Sequence, residues 1–77
     1  MDLKVGDQVS IASPLAYLKT ADPMPMLRPP DLVSLDEYGE LVGLRAKGLA
    51  AVRFRRGTFL IPLERLVMRR KNKDNSD

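Results

Sequence analysis

Apolar and polar residues alternate over short spans in this chain, and glycine punctuates them: Gly39, Gly48 and Gly57 recur every nine residues, each closing a run rich in Val, Leu, Ala and Phe. That spacing predicts a β-meander with strands over 40–46, 49–55 and 58–62. Two-residue turns at Lys47-Gly48 and Arg56-Gly57 would join them, glycine supplying the positive φ such turns need. No window of about a dozen residues free of glycine and proline places apolar side chains at i, i+3, i+4 and i+7, which excludes a helical bundle.

Two-residue turns set a register, and the register assigns each side chain to a face. One face then brings Leu41 opposite Phe54, Gly43 opposite Val52, Phe54 opposite Phe59 and Val52 opposite Ile61. The other sets Val42 and Leu60 against Arg53, with Arg55 opposite Thr58 and Leu44 nearby, so aliphatic groups mix with guanidinium groups. A one-residue bulge in either hairpin would swap these assignments. Ahead of the meander, 8–12 reads as a strand with Val9 and Ile11 turned to the core. After it, 62–65 makes one helical turn and 66–69 returns as a last strand with Leu66 or Val67 inward. The expected fold is all-β: a small five-stranded SH3-like barrel with a long Pro/Met-rich loop after the first strand.

At 77 residues the chain is one domain, placed at 1–70, with 71–77 as a polar tail expected to be disordered. Cysteine and histidine are both absent, which excludes disulfides, thiolate metal sites and the usual nucleophile and base pairs. Asp36 and Glu37 are adjacent and suit a solvated turn better than paired acid and base work. The glycines are scattered, so no phosphate-cradling loop is read. The chain is therefore expected to be a non-enzyme without metal or cofactor. Residues 1–12 mix Asp2, Lys4 and Asp7 among apolar groups, unlike a secretory leader, and no apolar run approaches the ~20 residues of a membrane span. A cytoplasmic monomer without membrane insertion is expected.

Charge is divided along the chain. Residues 1–44 carry three bases and seven acids, while 45–77 carry ten bases and three acids, for a total of +3. A basic half of this kind fits either an acidic protein partner or nucleic acid. Small RNA-binding barrels present stacking aromatics on a basic sheet, and Arg53 and Arg55 bring the charge without the rings. Polyproline recognition fails for the same reason: with no tryptophan, only Tyr17, Tyr38, Phe54 and Phe59 are available to line a groove.

The segment 13–36 holds all but one of the six prolines, and connections this long are either functional or disordered. Prolines lower the entropy lost on ordering, so this loop is expected to be ordered. Met24 and Met26 within it are suited to adaptable contact surfaces, unless with Leu27 they merely cap the open end of the barrel. Lys19 and Arg28 flank them. Arg53, Arg55 and Arg56 are suited to bidentate pairing with acidic groups.

The run YLKTADPMPMLRPPDLV at 17–33, with VRFRRGTFL at 52–60, resembles the cyanobacterial SipA-like proteins, over roughly 5–67. The resemblance implies a small SH3-like barrel acting as an adaptor in two-component signalling and stress response. Such an adaptor binds the ATP-binding catalytic domain of a stress-sensing histidine kinase and enhances its autophosphorylation. The expected partner-binding residues are Lys19, Met24, Met26, Arg28, Arg53, Arg55 and Arg56. The competing expectation is a basic SH3-like or KOW-like barrel that binds RNA or serves as a small subunit of a larger assembly, and salt dependence of binding separates the two.

Overall fold

A computed structural model describes residues 3–68; the tail expected at 71–77 lies outside the described residues. Seven strands form a single antiparallel sheet: β1 (Gln8–Ile11), β2 (Leu18–Thr20), β3 (Leu27–Arg28), β4 (Tyr38–Arg45), β5 (Leu49–Phe54), β6 (Gly57–Pro62) and β7 (Leu66–Met68). Their order across the sheet is β3-β2-β6-β5-β4-β1-β7. The other regular elements among the described residues are one-turn 3₁₀ segments, at Pro30–Leu32, Ala46–Gly48 and Leu63–Arg65. The protein is all-β, and the ladder does not close, because its two end strands β3 and β7 do not pair with each other.

Five of these strands lie where the alternation puts them, and the 3₁₀ turn before β7 sits at the expected place. The five-strand expectation needs correction in the long loop, which supplies β2 and β3. These pair as Leu18 with Arg28 and Lys19 with Leu27, and β2 then extends the sheet along β6, Lys19 facing Leu60 and Thr20 facing Phe59. Two hydrogen bonds close the β2–β3 hairpin: the Thr20 N–H donates to the Met26 carbonyl at 2.9 Å, and the Met26 N–H donates to Thr20 Oγ1 at 2.8 Å. Burial of Leu18 anchors the arm and leaves β6 with a partner on both sides. Over 58–60 the side of β6 toward β2 is paired rather than left as a sheet edge.

The register also departs from the expected one. Phe54 pairs with Gly57 and Val52 with Phe59, because Arg55 and Arg56 form the turn. In the first hairpin Leu41 pairs with Val52, and the pairing then shifts so that Gly43 meets Ala51 and Leu44 meets Ala50. A shift of two residues keeps every side chain on its face, so Leu41, Val52, Phe54, Phe59 and Ile61 remain together inside. The bulge at Val42 is what moves Gly43 to the opposite face from Val52. The connection that requires it is three residues, Ala46–Gly48, with Lys47 at φ 62° and Gly48 at φ 72°.

One core fills the inner side: Val9 and Ile11 of β1, Leu18 of β2, Leu41 of β4, Ala50, Val52 and Phe54 of β5, Phe59 and Ile61 of β6, and Leu66 of β7. Leu18 and Leu66 share that cluster although several strands separate them in the ladder, so the sheet curls around it. From the loop the core takes Val33, with Leu15 and Leu32 packed against it. The methionines do not cap it, Met24 being 84% exposed. Leu66 is the inward residue of β7 and Val67 is exposed.

Gly39 is fixed by the core. A Cβ there would stand 2.7 Å from Cδ1 of Phe54 and 2.8 Å from the Arg53 carbonyl oxygen, closer than real Cβ contacts come. The phenylalanine ring lies where a side chain at 39 would be, across the β4–β5 pair.

Candidate functional site

The outer face of β2, β6 and β5 takes its composition from alternation. Leu18 points in, so Lys19 points out; Phe59 and Ile61 point in, so Leu60 points out. A row of cross-strand neighbours results, running Leu27, Lys19, Leu60, Ala51 and Gly43. On one side of it lie Pro62, Leu49 and Arg45, and on the other Thr58, Arg53 and Glu40. Leu27 is 63% exposed, whereas Ala51 is only 1% exposed although it belongs to this face. Ala51 is covered from its own side, and Nε of Arg45 lies 3.9 Å from where a Cβ on Gly43 would sit. The exposed arginine thus runs along this face beside the glycine.

Next to this row a groove of about 260 Å³ is lined by Leu15, Tyr17, Lys19, Leu49, Leu60 and Pro62, together with Ala16. Its walls are apolar apart from the lysine and the tyrosine hydroxyl. Among the described residues no acidic side chain lines it.

The residues expected to meet a partner separate into three groups. Lys19 belongs to this groove. Met24 and Met26 are exposed at and beside the tip of the β2–β3 arm, and Arg28 on β3 shares a cleft of about 330 Å³ with Arg56 of the β5–β6 turn, with Thr20, Asp22 and Thr58 beside them. Arg55 and Arg56 also border a polar pocket of about 530 Å³ that Asp31, Asp36 and Glu37 line with them. Arg53 stands apart, since its Nη2 donates to Glu40 Oε1 at 2.5 Å across the β4–β5 pair. That is the one ion pair within 4 Å among the described residues. Arg53 and Arg55 were expected on one face; the turn at 55–56 removes Arg55 from the ladder.

Asp31, Asp36 and Glu37 do not assemble into a metal site, since no group of three or more acidic side chains close enough to hold a cation occurs among the described residues. Glu37 is occupied locally: its N–H donates to the Ser34 carbonyl at 3.1 Å and its Oε1 accepts from the Ser34 N–H at 3.4 Å.

Of the groove residues, the sequence marks Leu60 for the mixed outer face and Tyr17 only as one of four aromatics, and it gives Leu15, Leu49 and Pro62 no part in a site. The signal for the groove was the alternation in 17–20, where exposed Tyr17 and half-buried Lys19 flank buried Leu18. Reading the whole segment as loop concealed it.

A comparison with protein families bears on the same span. The sequence model for the family described as Protein CHLORORESPIRATORY REDUCTION 42-like matches residues 5–66. The chain belongs to the CRR42-like family. The match covers β1 through the first residue of β7, so every groove residue and every expected partner residue lies inside the CRR42-like region. No curated protein and no solved structure matches the chain. No helix among the described residues is long and apolar enough to cross a membrane.

Proposed function

We propose that this CRR42-like chain is a non-enzymatic regulatory adaptor that binds the ATP-binding catalytic domain of a stress-sensing histidine kinase, in the cytoplasm, and enhances its autophosphorylation. The reading rests on the SipA-like resemblance of 17–33 and 52–60. One structural observation supports it: the loop carrying that resemblance is a hydrogen-bonded arm that displays Met24, Met26 and Leu27 beside Lys19 and Arg28, cations with no ion pair among the described residues. Methionine and arginine with apolar neighbours are the composition of interface centres. Arg56 adds to the same side through the cleft it shares with Arg28, and Arg55 follows it. Arg53, already paired with Glu40, contributes least.

The finer fold reading is that β7, β1, β4, β5 and β6 are the strands of an SH3-like barrel and β2–β3 an arm of its long first loop. Their order in the sheet and the 3₁₀ turn before β7 support it. An adaptor activates an enzyme only by preferring one of its states. Calorimetric titration into the kinase catalytic domain should therefore give saturable 1:1 binding, and the autophosphorylation rate should rise with the bound fraction. The double substitution Arg28→Glu, Arg56→Glu should reduce affinity at least tenfold. Absence of heat at both moderate and high salt would sink the reading. Tight RNA binding that weakens steeply with salt would replace it.

A further inference from the structure

We propose that the groove between β2, β6 and the Leu15–Tyr17 approach is a docking site for a short acidic segment of a partner protein, one large apolar side chain entering the groove and flanking carboxylates meeting Lys19 and Arg45. The inference rests on the reading of this chain as a protein-binding module, and not on the identity of the kinase.

Size limits the occupant first. At about 260 Å³ the groove is smaller than the ~300–1,000 Å³ of typical small-molecule sites. It suits one side chain of a longer ligand. The floor is apolar, from Leu60, Leu49 and Pro62, and exposed Tyr17 forms a wall with an aromatic face and a hydroxyl, a residue type favoured at binding hot spots.

Charge then selects the flanks. The outer face of β2, β6, β5 and β4 carries Lys19, Arg45 and Arg53 against one acid, Glu40, and Glu40 is taken by Arg53. Lys19 and Arg45 have no carboxylate within ion-pair distance among the described residues. Other acidic residues described in the first half of the chain lie elsewhere: Asp31, Asp36 and Glu37 border the pocket at the β5–β6 turn, Asp22 borders the cleft of Arg28, and the Asp7 carboxylate accepts from the Lys4 N–H. Potentials of opposite sign favour encounter and register, so the face selects an acidic ligand and disfavours a basic one.

Strand addition is not the binding mode. The near edge of the sheet is β3, only Leu27–Arg28, and Pro25 and Pro29 bracket it at two residues' distance before and directly after. Proline has no N–H to give a ladder and is a common guard of sheet edges. The ligand therefore lies on the face.

The test is a titration of ¹⁵N-labelled protein with a short synthetic peptide of glutamates and serines around one phenylalanine, followed by amide chemical shifts. Shifts should centre on 15–19, 49 and 60–61. Lys19→Glu should weaken binding about tenfold, Tyr17→Ala should weaken it severalfold, and peptides with phenylalanine replaced by alanine or glutamates by lysines should lose it. Because Tyr17 is exposed and outside the strands, that variant stays folded even where Lys19→Glu does not. No shifts, shifts centred on Arg55 and Arg56, or equal binding of the lysine peptide overturns the proposal. So does movement of the groove resonances with protein concentration alone, which assigns the groove to a second copy, or with oligouridylate but not the peptide, which assigns it to RNA. Peptide binding at the groove without kinase binding removes the kinase and leaves the site; kinase binding that spares the groove does the reverse.

Discussion

The two faces of the sheet are built from the same strands and differ in packing and charge. On β6, Phe59 and Ile61 are buried among the core residues while Leu60 between them lines the groove; on β2, Leu18 is inside and Lys19 outside. The inner face is crowded enough that a phenylalanine ring occupies the space above a glycine. The outer face is sparse, with one ion pair and cations left over among the described residues. A small chain with a single core cannot give up inner side chains to a partner. On the proposed reading, alternation separates stability from recognition residue by residue.

The largest stability effect is expected inside. Ile61→Ala removes a fully buried side chain and should cost about 2–5 kcal/mol in urea unfolding. The two glycines of β4 provide a closer contrast. Gly39→Ala, on the Phe54 side, should cost about 1–3 kcal/mol through overpacking. Gly43→Ala meets nothing nearer than the Ala51 Cβ at 3.8 Å and should be neutral or stabilise by up to about 1 kcal/mol. Equal effects at the two positions would mean that both faces are packed alike. Arg53→Ala breaks a pair whose side chains are 62% and 45% exposed and should cost less than about 1 kcal/mol, with the difference shrinking in salt. Smallest of all, Tyr17→Ala should change stability by no more than about 0.5 kcal/mol while weakening capture of an acidic peptide. A Tyr17 variant that unfolds would make the groove part of the core.

Five strands were legible because each alternates around one or two large inward residues. Val9 and Ile11 mark β1, and Phe59 and Ile61 mark β6. The arm was not, since β2 and β3 are three and two residues long and sit among prolines that argue against strand. What makes them strands is non-local: Leu18 finds the core and β6 offers an edge. The bulge at Val42 was equally hidden, because Leu41, Val42 and Leu44 are all apolar and satisfy either register. Of the site, the cations were legible and their partners were not. Glu40 precedes Arg53 by thirteen residues, and only the true register sets them opposite each other. Lys19 could be named from sequence, but the floor beneath it, Leu49, Leu60 and Pro62, comes from two other strands.

The prolines around β3 have a consequence for how copies of the molecule behave at high concentration. An open sheet has two ends, and a fibre needs both to accept a neighbour. Here one end offers two residues between prolines, and β7 is the other. Edge-to-edge growth is disfavoured at the β3 end, so any joining of copies through β7 would tend to stop at a pair rather than run on into a fibre.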